Sequence, residues 1–203
     1  MRRHYLIAAA VSAFALIAAA GLGLAFLGVN EGPKLKSGVA AIGGPFTLVD
    51  DFGKSVTEKT LAGKPYAMYF GYTFCPEVCP TTLLDLSRWI KDLGPDADKL
   101  NYVFVTVDPE RDTVQLMHTY LSSFDRHIHG YTGTAEEIAK IAKKYRVYYK
   151  KIPIDDGGYV MDHSAMIYLM GPDDKFVSLI RYQEDDASAL AKLRKLVAMA
   201  PMS

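Results

Sequence analysis

Cysteine and tryptophan are almost missing from this chain of 203 residues, which has two of the first, Cys75 and Cys79, and one of the second, Trp89. Two thiols so close together cannot staple a whole domain. A bridge across their short loop would constrain the unfolded chain only modestly under the loop-entropy model. A disulfide framework is therefore excluded, and chemistry is the better use of the pair. An excess of either charge is also missing: 23 Lys and Arg balance 23 Asp and Glu, and without Arg2 and Arg3 the balance is 21 against 23. Such a chain has no electrostatic claim on nucleic acid. No sequence repeat breaks it into units.

Residues 5–29 lack any charge, and Ser12 is their one notable polar side chain. At about 1.5 Å per residue the run can cross a hydrocarbon core of about 30 Å with some tilt. Ala18-Ala19-Ala20 has the form of a signal-peptidase site, but a signal core runs about 7–15 residues. Here the apolar run continues through Leu22, Leu24, Phe26 and Leu27, which favours an uncleaved anchor. No cysteine lies near it to carry a thioether lipid. Arg2 and Arg3 precede it, so the positive-inside tendency keeps the N-terminus in the cytoplasm and exports the rest. The N-terminus is not the amphipathic, Arg- and Ser-rich kind that enters organelles. The expected location is a bacterial plasma membrane, with the globular domain facing the periplasm or cell exterior. The expected division is an anchor over 1–30, a Gly- and Lys-containing linker over 31–44 and one domain over 45–203.

Within that domain strand and helix patterns alternate. Residues 46–49 and 55–57 flank Asp50-Asp51-Phe52-Gly53 as a hairpin. Residues 66–70 form an apolar run of buried-strand type. A helical pattern over 81–93 carries Leu83, Leu84, Leu86, Ile90 and Leu93 and stops at Gly94-Pro95. A second buried strand covers 102–107, and amphipathic helices cover 113–124 and 134–145, the latter opened by a Thr134/Glu137 capping box. Residues 147–152 with 159–161, and 165–170 with 176–182, read as two more hairpins before a last helix over 186–199. This order predicts an α/β fold with a mixed, largely parallel sheet and helices on both faces. A strand, a thiol loop, a helix, then strand, helix and hairpin is a thioredoxin-like layout.

The thiols lie in Cys75-Pro76-Glu77-Val78-Cys79-Pro80, between a strand and a helix. Pro80 suits the first helical turn, making Cys79 cap-like and exposing a thiol to the positive helix start, which favours thiolate. The spacing permits two sulfurs on one ion or, with other rotamers, a disulfide. A bare pair of this spacing leaves metal binding and redox chemistry both open.

Two thiolates seldom saturate an ion, so a third donor is sought among His118, His127, His129 and His163. His118 falls on an amphipathic helix face, and His127 with His129 fits a solvated turn beside a short strand better than a metal pair. His163 is different, because Asp162-His163-Ser164 leads into the strand at 165–170, beside the thiol loop in a thioredoxin-like layout. Thiol–disulfide oxidoreductases carry a cis-proline there, and this chain has no proline between Asp155 and Met170. An imidazole in its place argues for coordination over exchange.

Three segments, Gly71-Tyr72-Thr73-Phe74-Cys75-Pro76-Glu77-Val78-Cys79-Pro80-Thr81-Thr82, Val105-Thr106-Val107-Asp108-Pro109-Glu110-Arg111-Asp112 and Asp162-His163-Ser164, resemble the Sco (SenC) family from about Gly44 to Val197. The resemblance implies a copper-binding chaperone for cytochrome c oxidase assembly, with one copper, Cu(I) or Cu(II), held by Cys75, Cys79 and His163. The implied partners are the copper-site subunit of the oxidase and a copper donor protein or thiol reductant, with the membrane engaged through residues 5–29. Soft thiolates suit Cu(I) and an imidazole also tolerates Cu(II).

Asp162 is a candidate to orient His163. Asp108, at the strand edge where ligands gather, is a candidate to line the site or a docking surface, while Asp112 or Thr113 would cap the next helix. The alternative function is a thiol–disulfide reductase using Cys75 and Cys79 on the client's cysteines. A peroxidase would need a lone peroxidatic thiol beside an Arg, which this loop does not provide. Lys143, Lys144, Lys150 and Lys151 read as solvated positions, and Met166 and Met170 as core, with only Met161 placed near the site.

Overall fold

The computed structural model of the chain describes residues 42–155 and 157–201. The expected anchor and most of the expected linker lie outside these residues. Among the described residues no helix is long and apolar enough to cross a membrane.

The elements run β1 (Thr47–Asp50), β2 (Ser55–Thr57), α1 (Glu58–Leu61), β3 (Tyr66–Gly71), α2 (Val78–Leu93), β4 (Asn101–Thr106), α3 (Val114–Leu121) and β5 (Ile128–Thr132). Then come α4 (Ala135–Tyr145), β6 (Tyr149–Pro153), β7 (Tyr159–His163), β8 (Met166–Met170), β9 (Phe176–Arg181) and α5 (Asp186–Val197). One sheet of seven strands is ordered β2-β1-β5-β4-β3-β8-β9, and β6 with β7 makes a separate ribbon. Strands β3, β4 and β5 are parallel, while β8 runs antiparallel to β3 and β9 to β8. The mixed sheet and thioredoxin-like order match the expectation, but the sheet is not largely parallel: β3, β4 and β5 supply its two parallel pairings, and the other four are antiparallel because hairpins flank that parallel centre on both sides. The short strand expected beside His127 and His129 is β5, which takes in His129 itself and joins the β1–β2 hairpin to the sheet.

Every residue of β3 is buried, as a strand covered on both faces must be. Alternation along it assigns the faces. Tyr66 and Phe70 meet Tyr145 of α4, while Tyr69 and Gly71 face Cys79 of α2. The two helices therefore lie on opposite sides. Helix α2 buries Leu83, Leu86, Trp89, Ile90 and Leu93 on one stripe, each large aliphatic contributing about 1.5–3 kcal/mol. Leu84, which the helical spacing suggested for the core, is 54% exposed. Trp89 is buried, and its indole N–H donates to Asp186 at 2.8 Å, tying α2 to the start of α5. Gly94 ends α2 at φ +57°, a conformation that glycine adopts without strain. The core also reaches three residues into the expected linker: Ile42 packs against it and the Gly43 N–H donates to the Lys144 carbonyl at 3.1 Å.

Gly71, the last residue of β3, sits where α2 begins. A Cβ there would come within 2.7 Å of Phe104 and 2.9 Å of the Cys79 sulfur. Gly71→Ala should therefore cost about 1–3 kcal/mol by overpacking, read as a lower urea midpoint at unchanged slope. An unshifted midpoint would show that the strand end can yield.

Candidate metal and redox centre

Strand β3 hands the chain to a tight loop in which the Cys75 N–H donates to the Tyr72 carbonyl at 3.3 Å. Helix α2 then starts at Val78, one turn earlier than the sequence suggested, with Glu77 as its N-cap residue. Pro80 still occupies one of the four first-turn positions whose N–H has no helical partner. Cys79 is thus inside the helix and not cap-like. The Glu77 side chain makes no cap bond; instead the Cys75 sulfur accepts the Cys79 N–H at 3.3 Å and serves the free donors of the helix start.

His163 arrives from the other side of the molecule as the last residue of β7, opposite Tyr149 of β6. Its Nδ1 is 3.2 Å from the Ser164 carbonyl oxygen. A carbonyl only accepts, so Nδ1 carries a proton, and Nε2 is the nitrogen that faces the sulfurs. Nε2 stands 3.4 Å from the Cys79 sulfur, which also receives the Tyr69 hydroxyl at 3.6 Å. The edges of Tyr69 and Tyr72 fix the imidazole ring. Both cysteines are free thiols, Cys75 half-buried and Cys79 buried. One donor atom each from Cys75, Cys79 and His163 lies within 4.8 Å of the others. Two soft sulfurs and one imidazole nitrogen suit a soft or borderline ion, and the same sulfurs suit redox exchange.

The two thiols are unequal. The Cys79 thiol donating to its sulfur holds Cys75 down at about 4, helped by His163 and by the Cys79 and Glu77 N–H groups against the cost of burial. That donation, with burial, pushes Cys79 up. Cys75 is thus held towards thiolate and Cys79 towards the neutral thiol.

The structure places the remaining sequence candidates differently. Asp162 is exposed and stands by the Tyr148 hydroxyl; the partner of His163 Nδ1 is the Ser164 carbonyl. Asp108 is 1% exposed and lies behind the site, binding Arg111 Nε at 2.5 Å and the Tyr159 hydroxyl at 2.9 Å. Met161 and Met170 are buried in the core. His118, His127 and His129 belong to other clusters, and Lys151 pairs with Glu110.

Two residues that matter, Arg111 and Asp112, were named in the sequence without their roles. Arg111 stacks on Tyr159 at 3.7 Å and on Phe74 at 4.7 Å, and donates to the Tyr159 carbonyl at 3.0 Å. It thereby joins the thiol loop to the strand carrying His163. Asp112, fully buried, accepts from the Thr73 N–H at 3.1 Å, the Thr73 hydroxyl at 2.6 Å and the Thr106 hydroxyl at 2.6 Å. It was read only as a possible helix cap, and Thr113 fills that role by accepting the Leu116 N–H.

A thioredoxin-like domain with two unpaired thiols and an imidazole at the carboxyl end of its central strands defines a class of metal-handling or thiol-redox proteins. The chain belongs to the SCO1/SenC family, whose model matches residues 35–198. It is similar to a solved structure of Bradyrhizobium japonicum ScoI with copper bound, at 52% identity and a TM-score of 0.72, over 77% of this chain and 99% of that one. It is similar also to Arabidopsis thaliana ScoI with copper bound, at 43% identity and a TM-score of 0.73, over 78% of this chain and 99% of that one. Protein SCO1 homolog 1, mitochondrial, of Arabidopsis thaliana is 46% identical over 78% of this chain and 47% of its own length. The chain spans about half the length of the curated relatives it matches first.

Two measurements test this geometry. In the reduced, metal-free chain, iodoacetamide should modify Cys75 first, at a rate flat from about pH 5 to 8 and falling only as pH drops through about 4. The depressed value means thiolate above it and thiol below, and Cys79→Ala, which removes the main donor, should move the fall to higher pH. A parent rate that climbs steadily towards pH 9 would contradict the assignment. Separately, Asp112→Ala leaves three donors without their acceptor, and should cost about 2–4 kcal/mol in urea unfolding; a cost near zero would mean water replaces it.

Proposed function

We infer that the chain is a copper metallochaperone which binds one copper ion through Cys75, Cys79 and His163 and delivers it to the copper-site subunit of cytochrome c oxidase. The observation that carries this reading is the convergence of two free sulfurs and an imidazole nitrogen within 4.8 Å. The donor set accepts copper in either oxidation state, thiolates favouring Cu(I) and imidazole tolerating Cu(II). Similarity to two ScoI proteins with copper bound supports the choice of metal.

The unequal burial of the ligands gives transfer an order. Cys79 is 0% exposed, whereas Cys75 lies in the loop and is half-buried. An incoming thiolate of the client replaces the Cys75 ligand first, and His163 and Cys79 release afterwards. Phe74, in the loop itself, is 52% exposed and gives a client an apolar contact. Residues 5–29 hold the domain at a bacterial plasma membrane, on the periplasmic side and near membrane-embedded clients. The domain then begins near residue 42 and extends to the C-terminal residues.

A second reading draws on the thiolate–thiol asymmetry. As a reductase, Cys75 thiolate attacks a disulfide of the client and expels one client thiolate. Cys79 then loses its proton and attacks the mixed disulfide, expelling the second. The products are a Cys75–Cys79 disulfide here and two reduced client sulfurs, a balanced transfer of two electrons.

Copper titration of the reduced full chain, beside Cys75→Ser and His163→Ala, decides between them. The chaperone reading expects one copper per chain and affinity lowered at least tenfold in each variant. No copper above background in the parent, or undiminished binding in His163→Ala, would give the lead to the reductase.

A further inference from the structure

The edge of the sheet far from β8 and β9 carries a second group of donors. Asp51, in the turn of the β1–β2 hairpin, is only 6% exposed. Its Oδ1 accepts the Gly130 N–H of β5 at 3.1 Å, which fixes the carboxylate in place. Its Oδ2 lies 3.2 Å from His118 Nδ1 of α3, and its Oδ1 lies 3.9 Å from His129 Nδ1 of β5. Both imidazoles are about half exposed, at 45% and 51%. The Phe52 ring stands against both, with centroids 4.9 Å from His118 and 6.3 Å from His129. The four residues line one cavity of about 230 Å³.

We propose that Asp51, His118 and His129 form a second metal site, for a divalent cation of the zinc or copper(II) type. Two imidazoles and one carboxylate are a donor set that such borderline ions take. Donors bound to one ion at about 2.0–2.1 Å in a tetrahedron stand about 3.3 Å apart. The Asp51–His118 spacing of 3.2 Å already meets this, and the Asp51–His129 spacing of 3.9 Å falls short by well under 1 Å. The three atoms do not yet converge within 4.8 Å as those of Cys75, Cys79 and His163 do. A turn of the exposed His129 ring closes the set around a carboxylate that stays put. His127 belongs elsewhere, with Asp125 at 2.6 Å on Nδ1 and Asp98 at 3.1 Å on Nε2. The site is separate from the thiols: His129 pairs with Val103, and Val103 with Met68, three residues before the end of β3.

The test is a Zn2+ and Cu2+ titration of the full chain with Cys75→Ser, Cys79→Ser and His163→Ala combined, which removes the first site whatever its function. One equivalent of either ion should bind. Adding His118→Ala or His129→Ala should each weaken it at least tenfold, and adding His127→Ala should leave it unchanged. In the unsubstituted chain a second equivalent of Co2+ should bind without sulfur-to-cobalt absorption, a readout that survives if the triple variant folds poorly. Absence of a second equivalent in the parent, binding indifferent to both His118→Ala and His129→Ala, or loss with His127→Ala would each overturn the proposal.

Discussion

One buried carboxylate sets the height at which three strands end. Asp112 takes hydrogen bonds from Thr73, just past β3, and from Thr106, the last residue of β4, while its own carbonyl accepts the hydroxyl of Thr132, the last residue of β5. Burial pushes this carboxyl up and the threonine donors pull it back, as is required of an acid kept inside a protein. The thiol loop therefore leaves the sheet from a fixed point. Cys75 and Cys79 are positioned by the ends of parallel strands, not by the loop's own turn propensity.

From that point the inequality of the two sulfurs follows. Helix α2 must begin close against Gly71, the only residue small enough to admit the Cys79 sulfur at the strand end. Cys79 is thereby driven into the core, where a thiol keeps its proton. Cys75, still in the loop, is left to accept the donors of the helix start and becomes the thiolate. One sulfur is half-buried and held towards thiolate, the other buried and held towards the neutral thiol. The division arises from packing, because the two residues are chemically identical.

Much of this was legible in the sequence, and what was missed shares a cause. The continuous apolar runs of β3 and β4, and the Thr134/Glu137 capping box, are local patterns and can be read locally. His163 was legible because element order alone puts it beside the thiols. The extent of β5 was hidden because His129 and Gly130 interrupt its apolar run. The bonds from Arg111 to Tyr159 and from Thr73 to Asp112 join residues 48 and 39 positions apart, and no periodicity encodes such a pair. The segment Asp108-Pro109-Glu110-Arg111-Asp112 stood out in the sequence, but its reason did not: two acids facing opposite ways from one turn, Asp112 to the thiol loop and Asp108 to the hairpin.

That double role bears on how the site is held. A two-stranded ribbon is marginal by itself in water, and β6–β7, which carries His163, is such a ribbon, outside the main sheet. Its attachment near the site is the Asp108–Arg111–Tyr159 group, whose guanidinium also lies on Phe74 of the thiol loop. The two halves of the donor set are thus held from a single turn after β4. The sulfurs are anchored through the core, and the imidazole through the β6–β7 ladder, this group, the Ser164–Tyr148 bonds and the rings of Tyr69 and Tyr72. The imidazole thus reaches the sulfurs through contacts far apart in sequence, and the turn after β4 is where those contacts meet.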